Sequence, residues 1–182
     1  LKGEAELVGG IDQSGKTTLT GKYEFSEGAY EMNFNGIKRK FELQKGSYIT
    51  WNGEPTMANV NITAIYKANA APIDLLGNQL STMDQAVRNT YKQKLPFQTL
   101  LKMNGELMKP EISFELDLAE QERGAFGGSV YGMIQQINEQ EDELTKQVFS
   151  LLVLNQFFPV MGNDGSGGGV FDDCVVDGWS AY

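Results

Sequence analysis

The sequence predicts a mainly β fold: an antiparallel meander with a pair of α-helices at its C-terminal end. Three observations predict it. Residues 1–67 alternate apolar and polar side chains in short runs broken by glycine, the period of a strand with one buried face. Residues 95–118 repeat the alternation in two arms. Residues 125–157 change to a period of three to four, which belongs to helices packed along one stripe. With 182 residues, the chain is long enough for a domain with a core of its own.

The first strands flank "GIDQSGKT", residues 10–17. After it, Leu19, Gly21, Tyr23 and Phe25 alternate with Thr18, Thr20, Lys22 and Glu24. "FSEGAY" reads as a turn, and "AYEMNFNGI" then places Tyr30, Met32 and Phe34 on one face. "RKFELQKG" and "SYITWNG" follow, with Gly46 and Ser47 as a hairpin signal. "NGEPTMANV" is a turn punctuated by Gly and Pro. "ANVNITAIYK" alternates again through Ala58, Val60, Ile62, Ala64 and Tyr66. About five strands result, each too short to bury its face alone.

Residues 68–94 read as a loop and a short helix, with Leu80, Met83, Val87 and Tyr91 near helical spacing and Ser81 and Asp84 as a cap. Residues 95–118 read as a β-hairpin that continues the sheet. Phe97, Thr99, Leu101 and Met103 form one arm and Ile112, Phe114, Leu116 and Leu118 the other, with Asn104-Gly105 as the turn signal and Pro110 starting the second arm's pairing. Residues 119–160 hold amphipathic helices. Phe126, Val130, Ile134 and Ile137 form one stripe; Leu144, Val148, Leu151, Leu152 and Asn155 form the next, after Asn138 and Glu141 as a capping pair. Pro159 ends the run. Residues 161–182 form a Gly-rich linker and an acidic tail. Residues 1–160 read as one domain.

Composition narrows the function. The net charge is −9 and the isoelectric point about 4.5, which argues against nucleic acid, whose phosphates need clustered Lys and Arg. "IKRK", residues 37–40, is the one basic cluster and reads as a solvated edge that discourages aggregation. There is no histidine, so the commonest general base and zinc ligand are both missing. Cys174 is alone and reads as an incidental thiol. Asp172, Asp173 and Asp177 lack the spacing of a calcium loop. No catalytic residue, metal or cofactor is therefore expected, and the chain reads as a non-enzyme. It begins with Leu1, as a fragment or processed product would, and shows no signal-peptide pattern. Its longest apolar stretch, residues 148–161, carries Asn155, Gln156 and Pro159 and is too short to span a bilayer.

"GIDQSGKT" also spells the phosphate-binding pattern G-x-x-x-x-G-K-[ST]. A P-loop follows a buried strand and opens a helix whose free N–H groups face the phosphates. Here Gly9 and Gly10 interrupt the upstream aliphatics, and the downstream residues alternate with period two. Thr17, Thr18 and Thr20 are poor helix formers. The string is therefore expected to be a turn between strands, with Asp12, Ser14 and Gly15 supplying the turn chemistry, and no nucleotide is expected.

Several spaced motifs resemble the C-terminal domain of the TamB family, most closely its Bacteroidota-like branch, over residues 1–160. The first is Gly21, Tyr23, Gly28, Tyr30 and Phe34. The second runs through Phe41, Leu43, Gly46, Ser47, Ile49, Trp51, Gly53, Pro55, Ala58, Val60, Ile62, Ala64 and Tyr66. "GELMKPEISFELDL" and "NEQEDELTKQVFSLLVLNQF" resemble the family's later pieces. The resemblance implies the C-terminal module of a periplasm-spanning, inner-membrane-anchored protein of the AsmA-like, bridge-type lipid transfer superfamily, whose antiparallel meander curls into a half-open, β-taco-like groove with an apolar interior. It implies a place at the outer-membrane end of the periplasm, and a role in phospholipid transport to the outer membrane and in outer-membrane protein assembly. Implied partners are phospholipid acyl chains and a BamA/TamA-type outer-membrane barrel. Lipid-groove candidates are Tyr23, Phe25, Tyr30, Met32, Phe34, Phe41, Leu43, Ile49, Trp51, Val60, Ile62 and Tyr66. Trp179 and Tyr182 are candidates for docking the barrel. The alternative is a periplasmic scaffold that handles no lipid and binds the barrel by strand addition. The family ends in a longer strand-rich segment finishing on an aromatic residue, and the Gly-rich, acidic residues 161–182 depart from that pattern.

Overall fold

The computed structural model describes residues 1–34 and 37–159. Eight strand segments form one antiparallel sheet: β1 (Lys2–Ile11), β2 (Thr17–Glu27), β3 (Ala29–Phe34), β4 (Ile37–Leu43), β5 (Tyr48–Gly53), β6 (Ala58–Ala70), β7 (Leu95–Glu106) and β8 (Lys109–Leu118). β2 and β3 are one course interrupted at Gly28; β4 and β5 are the next, interrupted at residues 44–47. Two registers establish this: β2 pairs β5 and β3 pairs β4. Along the following course, β5 and then β4 pair the same edge of β6, through Ile49↔Val60 and Leu43↔Ala64. The meander order is kept, with β6, β7 and β8 as its last courses.

Two expected turns are thereby corrected. "FSEGAY" does not reverse the chain: Gly28 breaks a continuing course, and its carbonyl accepts from Leu43 N–H at 2.8 Å. Nor do Gly46 and Ser47 close a hairpin, since β4 and β5 do not pair with each other. They form a bulge. Gly46 takes φ 88°, which a glycine adopts without steric cost. Ser47 is buried, and its Oγ accepts from Thr63 N–H at 3.1 Å. A third turn moves: Asn104-Gly105 lies inside β7, because pairing continues through Gly105↔Pro110 and Glu106↔Lys109. The reversal falls at Leu107 and Met108, where Leu107 N–H donates to Ala58 O at 2.8 Å. The expected arms are in register, with Phe97 opposite Leu118, Thr99 opposite Leu116, Leu101 opposite Phe114 and Met103 opposite Ile112.

Residues 72–82 are not a plain loop. They form a 3-10 segment kinked at Gly77, followed by α1 (Gln85–Tyr91). Its cap is Asp84, which accepts from Gln85 N–H at 2.7 Å; Ser81 lies too far upstream. After β8 come α2 (Ser129–Asn138) and α3 (Glu141–Leu154). Phe126 precedes α2 with a left-handed backbone and stacks on Tyr91 at 4.7 Å. Asn138 does not cap α3. Its amide turns to the edge of β8, donating to Leu116 O at 2.8 Å while its Oδ1 accepts from Leu116 N–H at 2.9 Å. It thus supplies the pair of hydrogen bonds that another strand would supply.

The core lies between the helices and the far end of the sheet. Val130, Ile134, Ile137, Leu144, Val148, Leu151 and Leu152 pack on Phe41, Tyr66, Ala68, Leu95, Phe97, Leu101, Leu116 and Leu118. Phe157, after α3, meets Phe97 edge to face at 4.6 Å. It is held there by the wholly buried Gln147, whose amide donates to Phe158 O at 2.8 Å and accepts from Phe158 N–H at 2.9 Å.

An apolar sheet face, roofed at one end, as the candidate functional site

Registers place side chains on faces, because directly opposite residues point the same way. Starting from Val60, one face gathers Ile49, Tyr23 and Ala5 in one direction. From Ile62 it gathers Met103 and Ile112 in the other. Trp51 and Gly21 join it opposite Ala58 and Leu7. The reverse face is polar: Asn61 lies opposite Tyr48 and Asn104, and Thr63 opposite Lys102.

The helices divide the apolar face in two. Phe41, Leu43 and Tyr66 lie in or against the roofed core. Phe41 and Tyr66 are buried there, and Leu43 is partly buried against them. Tyr23, Phe25, Ile49, Trp51, Val60 and Ile62 lie outside that cluster, toward the turns at residues 12–16, 54–57 and 107–108. Tyr23, Ile49, Trp51 and Ile62 are half-buried, whereas Phe25 and Val60 are buried. Tyr23 and Phe25 meet edge to face at 4.9 Å, and Trp51 Nε1–H donates to Pro55 O at 3.1 Å. Tyr30 stands opposite Phe41 in β3 but is 59% exposed, at the margin of the sheet. Met32 and Phe34 occupy the β3 positions opposite Arg39 and Ile37. Trp179 and Tyr182 lie outside the described residues, as do Cys174, Asp172, Asp173 and Asp177.

Sequence reasoning left Leu7, Leu19, Met103 and Ile112 out of the site. Leu7 is 40% exposed and Ile112 39%. Gly9 and Gly10 hid the alternation of β1, although the register continues through both, to Leu19 and Thr18. Among the described residues β1 pairs only β2, so its other edge is free.

The roof is latched to the sheet by polar groups. Arg39 donates from Nε to Leu152 O, and from NH2 to Val153 O at 3.0 Å. These carbonyls close α3, where a cation also meets the negative end of the helix dipole. Tyr66 O–H donates to Asn155 Oδ1 at 2.5 Å. Asn155 ends α3 in a left-handed conformation.

The P-loop-like string is a hairpin turn. Thr17 opens β2, not a helix. Asp12 Oδ1 accepts from Ser14 Oγ at 2.7 Å, Ser14 N–H at 2.8 Å and Lys16 N–H at 2.9 Å. These bonds, led by the Ser14 hydroxyl, hold the Asp12 carboxyl below its usual range. A carboxylate thus fills the place where a phosphate would meet the turn's N–H groups. Among the described residues no cluster of His, Cys, Asp or Glu is arranged to hold a metal ion. No helix among them is long and apolar enough to cross a membrane.

Comparison with curated proteins returns no match, and neither does comparison with solved structures. The family model for the TamB C-terminal domain matches residues 2–173. The chain therefore belongs to the TamB C-terminal domain family, the translocation and assembly module proteins of the cell envelope.

Proposed function

We propose that this chain is the C-terminal module of a periplasm-spanning TamB-like protein. It supports phospholipid transport to the outer membrane and outer-membrane protein assembly, docked to a BamA/TamA-type barrel. Its part is non-enzymatic: it offers a surface and performs no bond chemistry. One observation carries the lipid reading. The apolar face continues from the roofed core onto β1, β2 and β5, where no helix among the described residues covers it. Acyl chains lying there remove apolar surface from water at ~0.8 kcal/mol per methylene, with no need for a specific polar contact.

Photocrosslinking in intact cells tests this. A photoreactive residue at Ile49 faces the open apolar side, at Thr50 the polar side, and at Phe97 the closed core. Lipid adducts are expected at Ile49 alone. Protein adducts at Ile49 without lipid would overturn the conduit.

The second reading is a scaffold that handles no lipid. The free edge of β1 favours it, since an unpaired strand edge is a template for strand addition. Cysteine pairs between the β1 edge and a barrel's terminal strand would crosslink under this reading.

A further inference from the structure

In the basic run "IKRK", Lys38 and Lys40 are exposed, as expected of a solvated edge, while Arg39 turns to α3. β4 pairs β6 at Leu43↔Ala64 and Glu42↔Ile65, and the two strands then part. A notch of about 230 Å³ opens between them, lined by Lys38, Arg39, Lys40, Glu42, Tyr66 and Lys67, with Ile65 at its side. Lys38 and Lys40 alternate with Arg39 on β4, and Lys67 follows Tyr66 on β6, so the three lysines share the polar side of the sheet. Arg39 and Tyr66 point the other way, into the latch with α3, and close the floor.

We propose that this notch binds a phosphate group, either that of a lipid headgroup or a free phosphate. Four of the chain's fifteen basic residues meet here, in a protein of net charge −9. Arg39 is committed to the carbonyls of α3. That leaves three ammonium groups, each a compact charge with three donors, which suits a tetrahedral oxyanion. Among the described residues Lys38 and Lys40 form no ion pair, and Lys67 pairs with Glu42 at 2.6 Å. The hydrogen bond and charge of Lys67 hold the Glu42 carboxyl below its usual range, and Lys40 adds to this. Both side chains of that pair are about half exposed, at 57% and 49%. Such a pair is weak and easily exchanged, so an entering phosphate can take Lys67 while Glu42 turns outward. Glu31 stands opposite Lys40 in register and offsets part of the charge. The site lies on the opposite face from the apolar one and does not depend on acyl chains being carried there.

Amide NMR titration of the full chain tests it, with sodium phosphate compared against sodium chloride at equal ionic strength. Phosphate is expected to shift the amides of residues 38–42 and 65–67 saturably, and chloride is not. Dihexanoyl phosphatidylglycerol below its micelle concentration separates the sources. Binding about tenfold tighter than inorganic phosphate identifies a headgroup; equal binding identifies free phosphate. The triple variant Lys38→Gln/Lys40→Gln/Lys67→Gln is expected to weaken either ligand about tenfold or more, and Lys67→Gln alone by a smaller factor, both with unchanged spectral dispersion. Equal shifts from phosphate and chloride, or undiminished binding by the triple variant, would overturn the proposal.

Discussion

Thr99 sits at 1% exposure between Tyr66 and Leu116, and its hydroxyl has no hydrogen-bond partner among the described residues. A buried hydroxyl without a partner costs stability, and a methyl in its place does not. Thr99→Val is expected to stabilise the fold by about 1 kcal/mol, read as a higher urea midpoint at an unchanged slope. Asn138 is the opposite case, because both of its bonds satisfy backbone groups of β8. Asn138→Ala leaves the Leu116 N–H and C=O without those bonds and is expected to cost about 1–3 kcal/mol. A cost near zero in urea unfolding would mean that water replaces the amide. At Asp74, burial pushes the carboxyl up. Its folded form therefore binds a proton more tightly than its unfolded form. The contribution is favourable at low pH and is lost as pH rises through the folded value. Asp74→Asn is expected to raise the unfolding midpoint at pH 7, with the gain shrinking as pH falls through the raised folded value and gone below about pH 4.

At the scale of elements, β1 and the helical roof differ in what holds them. Every residue of β1 is exposed, and among the described residues β2 is its only neighbour in the sheet. Its amides are expected to exchange with solvent faster than those of β7, which is paired on both sides. Gly21 lies opposite Leu7 and close against the β1 backbone. It takes φ 128°, and a Cβ there would lie 1.9 Å from Glu6 O. Gly21→Ala is expected to strip protection from β1 while leaving that of β7, in hydrogen exchange read by mass spectrometry. The roof depends on Phe157, which is 1% exposed against Phe97. Phe157→Ala is expected to cost about 3–5 kcal/mol. The alternating stripes of β6, β7 and β8 and the helical stripes of α2 and α3 were legible, because each is a local pattern set by one period. The interruptions at Gly28 and Gly46 were read as reversals, because a glycine marks a break in regular pairing without stating the direction the chain takes next.

At the scale of the molecule, the sequence by itself determined the class: an antiparallel sheet with one apolar face, followed by helices at the C-terminal end. Alternation assigns each side chain to a face, and that assignment needs no knowledge of distant contacts. It also determined that "GIDQSGKT" is a turn, since period two in Thr17–Phe25 is incompatible with a phosphate-binding helix. Only the tertiary structure decided which apolar residues are core and which stay open. Phe41, Tyr66, Ile49 and Trp51 look alike in the sequence, all large and all at alternating positions. The first two are roofed because Arg39 reaches the end of α3, 113 residues away in sequence, and because Gln147 fixes Phe157 beneath the helix. The same long-range latch shapes the notch, where Lys67 joins Lys38 and Lys40 across two strands that pair and then part. Burial and convergence of charge are set by which elements meet in space. A strand's own period carries that information for its neighbours in the sheet, and not for what packs on top of it.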